Sequence, residues 1–468
     1  MRYVSTRGVA PELGFTDALL AGLATDGGLY VPASWPALPP AAPGATYAQR
    51  AAQIMQLFVG DDVSPADLLR LSNDAYASFA HPAVVPLVQT GDHDFVQELF
   101  HGPTLAFKDV ALQMVGRLFD LVLAQRNQRV TIVGATSGDT GSAAIDGVRN
   151  CANVDIVILF PNGRTSDVQR KQMTTVDSPN VRVVAVEGTF DDCQDLVKAM
   201  FNDLAFRERM QLSAVNSINW ARVMAQVVYY VVATDRLRGP VDFCVPSGNF
   251  GNVFSGWIAK RMGAPIGRLV VASNANDILT RFFNDNDMSA VPVTPSLSPS
   301  MDIQVSSNFE RLLFEMNGRD GAMTGEQLDR FRSSGSLTVE ADQRAEFIDD
   351  VFLAGRINDD ETIATMRASH AGGGMLLDPH TAVGVCVAQR LRACGTLRGI
   401  TVTLATAHPA KFPDAVERAT GVRPPLPPHL ADLFDREERF TVLPNDLATI
   451  EAYVEHRGDG SAQANQSG

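Results

Sequence analysis

His101-Gly102-Pro103-Thr104-Leu105-Ala106-Phe107-Lys108-Asp109 decides how this chain is read. Pro103 and its small neighbours form a turn that feeds a helix. Ala111, Met114, Val115, Leu118 and Val122 then recur at helical spacing and give that helix one apolar face. Lys108 therefore stands at a loop-to-helix junction, beside buried surface. Of 39 basic residues only five are lysines (Lys108, Lys171, Lys198, Lys260 and Lys411), which leaves 34 arginines. An amine can lose its proton and attack a carbonyl to form a Schiff base; guanidinium cannot do so at accessible pH. A lysine that only caps or snorkels beside the helix start is the alternative reading of this segment taken alone.

At 468 residues the chain has room for about three domains. Its 45% hydrophobic residues suffice for a sizeable core, and its net charge of −14, without a lysine or arginine run, disfavours nucleic-acid binding. The first eight residues lack the apolar stretch of a signal peptide. The apolar run 223–233 is broken by Gln226 and is too short to span a bilayer. Five cysteines without C-x-x-C spacing suit a reducing, cytoplasmic compartment, and the eight histidines show no metal-ligand spacing, so no metal is expected.

Residues 1–90 alternate helix-like segments with turns: helices are expected at 15–22, 47–58 and 64–79. From about residue 91 strands alternate with helices, with β-rich runs at 129–134, 155–160, 181–186, 241–245, 268–272 and 400–405. That alternation predicts a doubly wound, mostly parallel α/β sheet, whose ligands sit at the carboxyl ends of the strands. Residues 284–300 and 423–428 read as loops.

Several of the post-strand loops could carry chemistry. Ser247-Gly-Asn-Phe-Gly-Asn252 lets the backbone turn sharply ahead of a helix, so its N–H groups and the helix dipole form an anion nest. A tight strand–helix turn capped by asparagines would look the same. Thr136-Ser-Gly-Asp-Thr-Gly141 has the wrong glycine spacing for a dinucleotide turn and packs hydroxyls and N–H groups suited to a carboxylate. In Asn216-Ser-Ile-Asn-Trp-Ala-Arg222, Ser217 or Asn219 caps an apolar helix. Capping donors, helix dipole and guanidinium can there converge on one dianion. Lys411 contacts an anion or merely starts a helix. Arg164 and Lys171 read as surface charges, and His408 carries no assigned role.

The nonapeptide 101–109 resembles the lysine segment of threonine synthases, pyridoxal 5'-phosphate (PLP) enzymes of fold type II, in the branch found in many bacteria and fungi. The loops above resemble that family's motifs in the same order, and Tyr3, Ser5-Thr-Arg-Gly8 and Leu23-Ala-Thr-Asp-Gly-Gly-Leu-Tyr-Val-Pro32 resemble its N-terminal region. The resemblance implies a tryptophan synthase β-like α/β fold with two doubly wound catalytic domains behind a helix-rich N-terminal region. It divides the chain into an N-terminal region (1–90), a catalytic region (91–430), a C-terminal segment (431–456) and a disordered tail (457–468). Within the catalytic region the smaller subdomain spans roughly 115–235, and 91–114 with 236–430 form the larger.

The same resemblance implies that Lys108 carries PLP and that Gly248, Asn249, Phe250, Gly251 and Asn252 hold it. Thr406 faces the pyridine nitrogen, where a neutral hydroxyl tempers the ring as an electron sink. Thr136, Ser137, Gly138, Asp139 and Thr140 take the substrate carboxylate through hydroxyls and N–H groups, because an acid beside a carboxylate is repulsive. Asn216, Ser217 and Arg222 take the substrate phosphate.

The implied reaction turns O-phospho-L-homoserine and water into L-threonine and phosphate, a γ-elimination followed by β-replacement that ends threonine biosynthesis. The enzyme class is a carbon–oxygen lyase acting on phosphates, working on a small molecule as a monomer or homodimer. An unperturbed lysine is free amine in about one molecule in 2500 at pH 7, and moving its pKa to about 7 takes roughly 4.6 kcal/mol of desolvation and neighbouring charge. Domain closure around the ligand is expected, since water is both reactant and intruder. A serine/threonine dehydratase is disfavoured because its substrate has no phosphate for 216–222 to bind, and a PLP-binding protein without catalysis because all the motifs are intact.

Overall fold

Runs such as Ile156-Val-Ile-Leu-Phe160 are apolar throughout, the signature of strands covered on both faces. In the computed structural model, which describes residues 1–136, 138–213 and 216–456, such runs are the interior strands of two parallel sheets. Ser137 and the expected tail 457–468 lie outside the described residues.

The chain divides into two compact units, one of Met1–Val115 with Asn216–Ala431, the other of the described part of 116–215 with 432–468. The first unit holds a six-stranded sheet in the spatial order Phe352–Arg356, Ile266–Ser273, Val241–Pro246, Ile400–Ala405, Asp94–Glu98, Leu87–Gln89. All its neighbours are parallel except the last pair. In register, Thr403 sits beside Cys244 and Val96. Cys244, Val270, Ala272, Val383 and Val387 pack a buried core with Met301 and Ile357. Because the central strands are parallel, the loops after Glu98, Pro246, Ser273 and Ala405 leave by one edge.

The second unit holds five parallel strands in the order Thr441–Pro444, Val181–Glu187, Val154–Pro161, Val130–Ala135, Leu212–Ser213. Its core joins Val133, Val157, Leu159, Val184 and Val186 to Ile450 and Val454 of the helix Leu447–Glu455. The resemblance implies a smaller subdomain at roughly 115–235; this unit leaves out the helix Trp220–Leu237 and takes in the C-terminal segment.

The N-terminal region forms helices Phe15–Ala21, Tyr47–Val59 and Pro65–Tyr76 and an antiparallel pair, Tyr3–Ser5 with Tyr30–Pro32. Thr46 and Gln49 close a capping box, and Ser64 caps the third helix ahead of Pro65. Tyr3, Trp35 and Phe58 close around Trp220, with ring centroids 5.6–6.0 Å apart. The capping role expected of Ser217 or Asn219 falls to Asn219, whose Oδ1 accepts from the Ala221 N–H at 3.0 Å. Among the described residues, no helix is long and apolar enough to cross a membrane.

Candidate active site

Lys108 is the first residue of the helix Lys108–Arg126 and is 8% exposed. The turn ahead of it is built around Asp109, whose carboxylate accepts from the Thr104 N–H (2.8 Å) and hydroxyl (2.6 Å). A Cβ on Gly102 would lie 2.4 Å from the Asp109 Cβ, so only glycine fits there. Leu105 takes a left-handed φ of 64°, which turns the chain back toward the sheet. There the Phe107 N–H donates to the Thr406 carbonyl at 2.8 Å, and the His408 N–H to that of Leu105 at 3.0 Å. Lys108 and Thr406 thus sit on two backbone stretches hydrogen-bonded side by side. Lys411, fully buried, donates from Nζ to the Thr104 carbonyl at 2.8 Å, so it braces this turn. His408 caps the short helix Pro409–Lys411, accepting from the Ala410 N–H at 3.1 Å. Burial, with His101 adding to it, pulls the His408 imidazole down to about 4.

The loop 247–250 leaves the strand Val241–Pro246, next to the strand that ends at Ala405. Phe250 is left-handed at φ 60° and starts the helix Gly251–Arg261. Its ring is sunk among Phe283, Phe309 and Phe352, so any contribution to an anion comes from its backbone N–H. The Gly248 carbonyl accepts from the Ser306 hydroxyl (2.8 Å) and that of Asn249 from Asn308 (3.1 Å), which turns the loop's N–H edge the other way. A Cβ on Gly248 would meet the Ser300 carbonyl at 2.7 Å.

Asn252 Oδ1 accepts from the Tyr229 and Tyr230 hydroxyls at 2.5 and 2.9 Å. Among the described residues its buried Nδ2 has no partner, nor do the Nε and Nη1 of Arg222. Burial lowers the Arg222 guanidinium to about 10. A buried guanidinium beside a helix start suits an anion. Anion-nest backbone, a donor amide without an acceptor and a buried primary amine on a loop of the same sheet edge, two strands away, fit a phosphate-bearing aldehyde.

In the other unit, Thr136 Oγ1 accepts from the Gly138 and Gly141 N–H groups at 3.0 and 2.9 Å. This hydroxyl, expected to bind a carboxylate, accepts within its own loop and keeps its hydrogen to donate. Asp139 Oδ1 accepts from Gln169 Nε2 at 2.8 Å, Thr140 is partly exposed, and a Cβ on Gly138 would strike Gln169 at 2.5 Å. Asn216 is exposed and Ser217 partly so. Lys171 is tied to the Phe434 and Arg436 carbonyls, both at 3.2 Å, and Arg164 is exposed.

Sequence reasoning passed over Thr104 and Asp109, although both stand in the quoted nonapeptide, and the tyrosines that orient Asn252. It had no means of finding Asn308, since nothing near it in the chain marks it.

Comparison with known proteins follows the same outline. The family described as threonine synthase N terminus matches residues 2–76, the pyridoxal-phosphate dependent enzyme family 88–327, and the threonine synthase C-terminal family 381–454. The chain is 53% identical to threonine synthase of Pseudomonas aeruginosa over 98% of its own length and 99% of that protein's. It is 42% identical to that of Schizosaccharomyces pombe over 89% of each. Among solved structures, PLP-bound threonine synthase from Brucella melitensis superposes with a TM-score of 0.95 at 53% identity, covering 98% of this chain and 100% of that one. Threonine synthase from yeast does so at 0.93 and 39%, covering 97% and 98%. The buried lysine, the phosphate nest and this full-length agreement lead to one conclusion: the chain belongs to the threonine synthase family of PLP-dependent fold-type II enzymes.

Proposed function

We infer that the chain converts O-phospho-L-homoserine and water into L-threonine and phosphate, with PLP held on Lys108. The observation that carries the phosphate specificity is the buried Arg222 guanidinium with two nitrogens unpaired among the described residues. A hydroxy-amino-acid substrate would leave it so; a phosphate monoester dianion supplies the missing charge and acceptors.

PLP, bound through its aldehyde, supplies the electron sink that acidifies the substrate at Cα and Cβ. With the cofactor bound, Lys108 Nζ would serve as the base that takes the Cα proton and then one from Cβ. Arg222, with Asn216 and Ser217, would hold the phosphate as it leaves Cγ; Cγ then takes up a proton, water adds at Cβ and a proton returns to Cα. Gly248, Asn249, Phe250, Gly251 and Asn252 would hold the cofactor phosphate through N–H groups and the Asn252 amide, and Thr406 would offer its hydroxyl to the ring. Gly138 and Thr140, with Thr136 shaping their loop and Asp139 held by Gln169, offer N–H groups to the substrate carboxylate; Ser137 lies outside the described residues.

The chain acts on a small molecule, in the cytoplasm, as a monomer or homodimer, and the net charge of −14 supports its binding no nucleic acid. Incubation of the PLP-loaded protein with phosphohomoserine tests the reading: threonine and phosphate must appear in equal amounts. Release of 2-oxobutyrate alone would replace it with a dehydratase.

A further inference from the structure

The segment Ser306-Ser-Asn-Phe-Glu-Arg-Leu312 carries no recognisable motif, yet it touches both anion-binding stretches of the first unit. Asn308 Nδ2 has two donor hydrogens, and its two acceptors are the Ser217 and Asn249 carbonyls, each at 3.1 Å. The first belongs to the substrate-phosphate segment, the second to the cofactor-phosphate loop. Asn308 Oδ1 in turn accepts from Arg311 Nη1. The Arg311 Nη2 donates to the Ile218 carbonyl at 2.6 Å and to that of Tyr30 at 3.1 Å, while Nε reaches Tyr30 at 3.2 Å. Both side chains are fully buried. A Cβ on Gly251 would come within 3.1 Å of Asn308 Nδ2, so the helix start has been pared to let the amide in. From the other side, Asn219 Nδ2 ties the same segment to the Leu19 carbonyl at 2.9 Å.

We propose that Asn308 and Arg311 are positioning residues that lock the cofactor-phosphate loop to the substrate-phosphate segment, so that filling either site preorganises the other. This rests on the reading of 216–222 given above. Two effects act together. Holding the carbonyls of 217, 218 and 249 fixes both anion-binding backbones before the anions arrive, which lowers the ordering cost of binding. Arg311 also brings a buried positive charge whose hydrogen-bond partners are neutral oxygens, and burial pulls it down to about 9. Each phosphate that binds nearby relieves that charge. The N-terminal region thereby gains a part in the site, through Tyr30 and Leu19.

Asn308→Asp tests the clamp in the PLP-loaded enzyme. It keeps the volume and an oxygen for Arg311 but removes both donors. Two ligands are titrated by the change in cofactor absorbance: a phosphonate analogue of phosphohomoserine, and the matching amino acid without the phosphonate. PLP release is timed with and without the phosphonate. The expected result is a phosphonate affinity lower by about tenfold or more, against about threefold or less for the plain amino acid. In addition, the phosphonate slows PLP release in the wild type and no longer does so in the variant. Equal losses for both ligands, or release slowed as in the wild type, would overturn the proposal. Should Asn308→Asp not fold, Arg311→Lys, which keeps charge but loses the fork, is read by the same two measurements. Arg222→Ala separates the two claims. Selective loss of phosphonate there but not in Asn308→Asp removes the clamp and leaves the function reading. No selective loss in Arg222→Ala removes the substrate-phosphate assignment and the clamp with it.

Discussion

Replacing Arg222 by methionine should make the protein more stable and less able to bind phosphate at the same time. The guanidinium is 3% exposed and two of its nitrogens have no partner among the described residues. Burial lowers it to about 10, so the folded state binds this proton less tightly than the unfolded chain does. Below pH 10 the whole difference opposes folding, on the order of 3 kcal/mol, and it fades as pH rises above about 10. Methionine keeps most of the apolar stem and removes the charge, so at pH 7 the gain is about 2–3 kcal/mol after minor repacking.

The assay is thermal unfolding of the PLP-loaded protein with and without inorganic phosphate, PLP already filling the cofactor's own phosphate nest. Wild type should rise with phosphate, by about 2.7 kcal/mol in stability at a concentration a hundred times its dissociation constant. Arg222→Met should start higher without phosphate and not respond. A variant that melts lower than wild type in phosphate-free buffer would refute the idea that this charge lacks a counter-ion. An equal phosphate response in both proteins would refute its role.

Further outcomes follow from the lysine turn and its supports. Purified protein should be yellow, with an absorbance band near about 410–420 nm that Lys108→Ala abolishes; a spectrum unchanged in the variant would remove Lys108 from the site. Gly102→Ala forces a Cβ to 2.4 Å from the Asp109 Cβ, so it should cost about 1–3 kcal/mol of stability and weaken PLP uptake, measured by denaturant unfolding and PLP titration. Tyr229→Phe with Tyr230→Phe leaves Asn252 Oδ1 without its two hydroxyl donors, at a cost of about 1–3 kcal/mol, and should weaken PLP binding with little change in how the bound enzyme ranks substrates.

His408 is held at about 4, below its usual 6.5, so between those values the unfolded chain binds the extra proton. Stability should therefore fall by about 3 kcal/mol as pH drops from 6.5 through 4, and His408→Gln should flatten that slope in acid-unfolding curves.

Much of this protein is legible in the order of its residues. Parallel strands covered on both faces must be apolar along their length, so 155–160 and 241–245 announce themselves, and loops after such strands mark where ligands go. Lys108, the nest at 247–252 and Arg222 each carry a local pattern of amine, glycine or capping residue, which a snorkelling lysine, a tight turn or a plain cap would also show, and the family resemblance chose between the readings. The strand Asp94–Glu98 carries no such pattern, because three of its five residues are polar and it is a strand through pairing with Ile400–Ala405 on one side and Leu87–Gln89 on the other. Tertiary packing alone settles the rest. Thr136 turns its hydroxyl oxygen to its own loop, and Phe250 its ring to the core. Asn308 reaches carbonyls 91 and 59 residues away in sequence. A buried hydrogen bond depends on which backbone groups the fold leaves unpaired side by side, and no spacing within the chain encodes that.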